Sequence, residues 1–109
     1  MSAMQMRHVS VFRVKPEHRT PETIERVAAL LRAMPQQLDT ILDCEIGVKP
    51  FPMPTESPDG HVQFYDLIQI ITFANEADCM AYPASEAHQA FLASSSQYME
   101  QVIGLDYPL

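Results

Sequence analysis

A chain of 109 residues with 47% apolar residues is one domain with a core of its own, and a partner that buried more apolar area would stabilise it further. Seven Lys and Arg against fourteen Asp and Glu give a formal charge of -7, which argues against nucleic-acid and anionic-membrane partners. No apolar run reaches bilayer length and residues 1–10 lack a signal-peptide pattern, so the expected location is cytoplasmic, with Cys44 and Cys79 as buried free thiols.

Residues Met6 to Val14 alternate, with Met6, His8, Ser10, Phe12 and Val14 on one face and Arg7, Val9, Val11 and Arg13 on the other. Both faces carry apolar side chains, as in a strand covered on two sides. Thr20-Pro21-Glu22-Thr23 then announces a helix: Thr20 caps free amides, Pro21 sits where a missing N–H costs nothing, and Glu22 meets the positive end of the helix dipole. Ile24, Val27, Leu30, Leu31 and Met34 recur at helical spacing, Glu22 and Arg26 are placed to pair, and Pro35 is expected to end the helix.

A second strand is expected over Ile41 to Lys49, with Leu42, Cys44, Ile46 and Val48 inward and Gly47 marking a bulge or a close backbone approach. Residues 50–60 (PFPMPTESPDG) read as a proline-rich loop closed by an Asp-Gly turn. Val62 to Phe73 is the most strand-like stretch, with apolar residues on both alternations. Asn75 caps a short helix that ends at Tyr82 because Pro83 follows; Ser85 caps another, with His88, Phe91 and Leu92 on its apolar face; and Gln101 to Tyr107 closes the chain as a strand.

This order predicts an α+β fold: a ferredoxin-like split β-α-β-β-α-β chain with a four-stranded, mainly antiparallel sheet and the helices on one side. The doubly apolar third strand leaves the other face needing cover. A second copy, sheet against sheet in a homodimeric α+β barrel, is the expected partner.

With those elements in order, the chain resembles the stress-responsive A/B barrel family, also called Dabb. The resemblance rests on four pieces: Arg7-His8-Val9-Ser10-Val11-Phe12-Arg13-Val14; the helix and the Ile41 to Val48 strand; Tyr65-Asp66-Leu67 through Phe73; and Ala81-Tyr82 through His88 and Phe91 to Leu105-Asp106-Tyr107. It implies one domain over 1–109 and a dimeric barrel. Many members have no defined activity, while some plant relatives cyclise linear polyketides by an intramolecular aldol reaction. The working pair of those cyclases corresponds to Tyr82 and His88, and another cleft histidine to His8. A further polar cleft position corresponds to Leu67, and the customary His-Pro before the last histidine is replaced by Ser85-Glu86.

Six residues apart on an unbroken helix, Tyr82 and His88 would point to different faces, and the break at Pro83 lets them converge on one cleft. A neutral histidine can remove a proton activated by a carbonyl, and a tyrosine hydroxyl can donate to the enolate oxygen. His88 and Tyr82 are therefore the candidate catalytic residues, with His8, Phe12, Leu67 and Phe91 as candidate substrate contacts. His8, His18, His61 and His88 lack metal-ligand spacing and no phosphate or dinucleotide loop occurs, so no metal or cofactor is expected. The expected ligand is small, apolar or enolisable. The enzyme reading is a cofactor-free cyclase or isomerase, and the alternative is a noncatalytic dimer that binds a small ligand.

Overall fold

The computed structural model describes residues 4–50 and 52–109. Strands β1 (Met6–Val14), β2 (Ile41–Val48), β3 (Leu67–Phe73) and β4 (Met99–Pro108) form one sheet in the order β2-β3-β1-β4, with every neighbouring pair antiparallel. Helix α1 (Pro21–Arg32) and the single turn α2 (Met34–Gln37) join β1 to β2, while α3 (Glu76–Ala81) and α4 (Glu86–Ser95) join β3 to β4. This is the ferredoxin-like α+β arrangement.

The core lies between the sheet and the helices. Phe12 and Val14 of β1 and Leu67, Ile71 and Phe73 of β3 meet Ile24, Val27, Ala28 and Leu31 of α1 and Phe91 of α4. Val27 and Leu31 are fully buried, each worth about 1.5–3 kcal/mol against exposure. The helix starts are set by their caps: Thr20, Asn75 and Ser85 accept from the amides of Thr23, Asp78 and His88 at 3.2, 2.8 and 3.2 Å. Among the described residues, no helix lies on the opposite face of the sheet. Val9, Val11, Ile68 and Ile70 are only half-buried there, and Ile103, Leu105 and Tyr107 of β4 are exposed.

Several local expectations give way to packing. Pro35 does not end the helical path but sits in the first turn of α2, where its absent N–H is harmless. Arg26 reaches the Tyr98 hydroxyl at 3.3 Å, and Arg32 is the residue paired on α1, with Glu25 at 2.7 Å. Leu42 does not face inward: an irregularity between Ile41 and Asp43 puts Ile41 opposite Phe73 in the core and leaves Leu42 54% exposed. Gly47 marks a close approach, since a Cβ there would lie 2.7 Å from the Ile68 side chain.

The third strand starts at Leu67, not Val62. Its pairing with β1 ends where Phe12 meets Leu67, and residues 55–64 close a small hairpin of their own, with Ser57 and Phe64 amides donating to the Val62 and Thr55 carbonyls at 2.8 Å. The turn of that hairpin holds Gly60 at φ 75°, a backbone region that favours glycine, as the Asp-Gly pair predicted.

Candidate active site

The helix break is built by three residues. After α3, a 3₁₀ turn over Tyr82–Ala84 takes up Pro83, and Ser85 both donates to the Tyr82 carbonyl at 2.7 Å and caps α4 through the His88 amide. The two rings come together edge-on, with centroids 4.9 Å apart and planes at 68°. The Tyr82 hydroxyl, however, does not bond to His88. It donates to Gln69 Oε1 on β3 at 3.3 Å, which ties the break to the sheet.

Beneath the break lies a cavity of about 160 Å³. Its floor is Ser10 and Phe12 of β1, Gln69 of β3 and Val102 of β4, and its roof is Tyr82, His88, Phe91 and Leu92. Ser10 and Gln69 are cross-strand partners, so their side chains stand side by side on the helix-covered face. Gln69 Nε2 and His88 Nδ1 are buried without hydrogen-bond partners, whereas most buried polar atoms in folded proteins are paired. Next to the cavity, His8 packs edge-on against Tyr82 at 5.2 Å between centroids. Its Nδ1 meets Asp106 Oδ1 of β4 at 2.5 Å and its Nε2 meets Ser10 Oγ at 2.7 Å.

Burial sets the protonation of this group. It pushes His88 below the ordinary imidazole value; the Pro83 carbonyl opposes that shift from a geometry too poor for a hydrogen bond, and neighbouring His8 adds to it. The His88 imidazole thus favours its neutral form at pH 7. Burial raises the Tyr82 phenol to about 12, with the Gln69 bond pulling the other way, so its hydroxyl keeps its proton. Burial also raises the Cys79 thiol to about 11, helped by the Asp106 carboxylate beside it, which makes it a poor nucleophile.

Comparison with known proteins places the chain in a family. The model of the stress responsive A/B barrel domain matches residues 6–109. The chain belongs to that family. No curated protein matches it. A dimeric ferredoxin-like protein of unknown function from Thermobifida fusca superposes with a TM-score of 0.77 at 20% identity, over 98% of this chain and 92% of its own. A dimeric protein of unknown function and ferredoxin-like fold from Bacteroides fragilis gives a TM-score of 0.74 at 17% identity, over all of both chains. The hydroxynitrile lyase of Passiflora edulis gives 0.74 at 18% identity, over 97% and 94%. At these identities the likeness shows the shared fold.

Within this stress-responsive A/B barrel domain, the residues singled out from sequence do not all meet. Tyr82, His88, Phe12 and Phe91 line the cavity, and His8 adjoins it through Tyr82 and Ser10. Leu67 is sealed in the core and borders a different groove, formed with Val48, Lys49 and Phe64 at the far end of the sheet. Ser10, Gln69 and Asp106 escaped notice as site residues. Ser10 and Gln69 carried a usable signal, being polar residues on the inward alternation of strands otherwise apolar there. Asp106 gave none, because only the β1–β4 register brings it opposite His8. Among the described residues, no helix is long and apolar enough to cross a membrane.

Proposed function

We propose that this protein is a cofactor-free enzyme that moves a proton on a small enolisable carbonyl compound, with His88 as base and Tyr82 as hydrogen-bond donor. One observation carries the reading: a neutral histidine with an unpartnered buried nitrogen lines an apolar cavity against a protonated phenol. His88 takes the proton beside the carbonyl, and the Tyr82 hydroxyl, turning from Gln69 Oε1 to the substrate, donates to the oxygen on which charge develops. Return of the proton to another carbon isomerises the substrate, and attack of the enolate on a second carbonyl in the same molecule cyclises it. A cavity of about 160 Å³ lies below the roughly 300–1,000 Å³ of drug-sized sites. That size favours a compact substrate over a long polyketide. The alternative is a noncatalytic dimer that holds such a molecule without reaction.

Hydrogen–deuterium exchange beside the carbonyl of cyclohexanone, followed by NMR, separates the two. The enzyme reading expects exchange that falls about 10²–10⁴-fold in His88→Gln. Binding without exchange, or exchange unchanged in that variant, overturns it in favour of the carrier. Since burial lowers the His88 pKa, the exchange rate is expected to fall at a more acid pH than it would with an ordinary imidazole as base.

The working unit we propose is a homodimer, its sheets packed face to face. The support is the uncovered face with Ile103, Leu105 and Tyr107, together with relatives described as dimeric. Light scattering is expected to give twice the chain mass at micromolar concentration, and Leu105→Arg to shift it toward the monomer; a monomer without substitution defeats the idea.

A further inference from the structure

His8, Ser10 and Asp106 satisfy the geometry of a second kind of chemistry, one that does not use His88. A carboxylate oxygen holds one imidazole nitrogen and a serine hydroxyl holds the other. With Nδ1–H donated to Asp106, the tautomer is fixed and Nε2 is left to accept the Ser10 proton. The strand geometry makes the contact: two residues apart on β1, both side chains stand on the helix-covered face, and the register brings Asp106 opposite His8 on β4. Gly104 stands opposite Ser10 on β4, where a Cβ would only touch the pair at ordinary contact distances, 3.4 Å from His8 Cε1 and 3.9 Å from Ser10 Oγ. A serine that only braced a histidine could sit anywhere on this face. Ser10 instead lines the cavity, with Gln69 directly across on β3 and its Nε2 donor unpartnered.

We propose that Ser10 is an acyl-accepting nucleophile, activated by His8, with Asp106 as the residue that positions the imidazole and the Gln69 amide as donor to the oxyanion. The substrate class is a short-chain acyl ester or thioester, whose small acyl group suits the cavity. Ser10 Oγ attacks the carbonyl carbon while its proton passes to His8 Nε2, and the carbonyl oxygen takes up negative charge against Gln69. The bond to the leaving oxygen or sulfur then breaks, and His8 returns the proton to the departing alcohol or thiol. Water attacks the acyl-serine by the reverse use of His8, releasing the carboxylic acid and restoring Ser10. The net reaction is ester plus water to acid plus alcohol or thiol.

The test uses the whole protein and p-nitrophenyl acetate. Intact-mass and peptide analysis of the unsubstituted protein is expected to find one acetyl group on Ser10. Its formation is expected to slow about 10²–10⁴-fold in His8→Gln and to vanish in Ser10→Ala, with circular dichroism of both variants unchanged. Asp106→Asn is expected to lower kcat with KM unchanged, and Asp106→Glu to restore part of it. In the His88→Gln background, where ketone exchange falls about 10²–10⁴-fold, acetylation is expected to slow a further ~10²–10⁴-fold on His8→Gln, so the two activities fail separately. No acetyl group on Ser10, or acetylation only of lysines or other residues, overturns the proposal. This mapping requires no variant to fold.

Discussion

Two polar clusters are buried in this sheet, and they differ in how completely they are paired. At one end Asp66, 1% exposed, accepts from the Val14 amide at 2.8 Å and from Arg19 Nε at 3.3 Å, and Lys49 Nζ stands 3.2 Å from its other oxygen as an ion pair without hydrogen-bond alignment. Its own backbone amide donates to Phe12 and its carbonyl accepts from Lys49, each at 2.9 Å. Arg19 also lies 3.7 Å from a Glu100 carboxylate oxygen, so two cations face two carboxylates, and the group clamps the ends of β1 and β2 where β3 begins. Toward the other end Ser10, Gln69, Tyr82 and His88 are uncharged, line a cavity and leave two nitrogens without partners. Matched buried charge locks structure, whereas unmatched neutral polar atoms beside an empty space are what a ligand can complete.

The largest effect is expected at the paired end. Asp66→Ala strands Lys49 and Arg19 and frees the Val14 amide, and should cost about 3–5 kcal/mol in urea unfolding, with any loss of activity following the loss of fold. Gln69→Leu should cost less, about 1–3 kcal/mol, because it leaves one neutral hydroxyl of Tyr82 without its acceptor. Adding Tyr82→Phe to it should recover much of that cost. A double-mutant cycle showing no coupling would mean that the 3.3 Å contact contributes nothing, and the contrast between the clusters would lose one of its supports.

Much of the framework was legible because it depends on neighbours in sequence. The caps Thr20, Asn75 and Ser85, the Asp59-Gly60 turn and the break at Pro83 each act within a few residues, and each is found where its local chemistry puts it. The succession of strands and helices along the chain followed from apolar alternation and helical spacing. What stayed hidden depends on register: Ile41 rather than Leu42 enters the core because of one irregularity, and Val62 to Phe64 leave the sheet for a local hairpin although their composition suits a strand. The same holds for the site. Tyr82 and His88 flank one break and were readable as a pair, but Tyr82 bonds across to Gln69, and His8 to a carboxylate near the other end of the chain.

Alkali should distinguish two buried acids near the cavity. Cys79, raised from 9.0 to about 11, and Tyr82, raised from 10.0 to about 12, both ionise more easily in the unfolded chain. Each therefore contributes stability that is complete below its ordinary pKa and is lost as pH rises through the folded value. The Tyr82 part should amount to on the order of 2 kcal/mol, lost between pH 10.0 and about 12, and should disappear from the urea midpoint profile of Tyr82→Phe. A profile for that variant identical to the unsubstituted protein above pH 10.0 would place the phenol in water and remove it from the cavity wall.

The smallest effect lies on the acid side and belongs to His88. Its folded pKa is below 6.5 because burial penalises the imidazolium, so between the two values the unfolded chain binds the proton that the folded chain refuses. Stability from this residue is complete above pH 6.5 and declines as pH falls toward the folded pKa, below which the slope ends. A ligand that buries the ring further should lower the folded pKa again and extend the declining window to more acid pH. His88 titrated by NMR in the presence of saturating cyclohexanone tests this directly: a downward shift ties the ring to the occupied cavity, and an unmoved pKa would leave His88 as a histidine of the helix break with no part in binding.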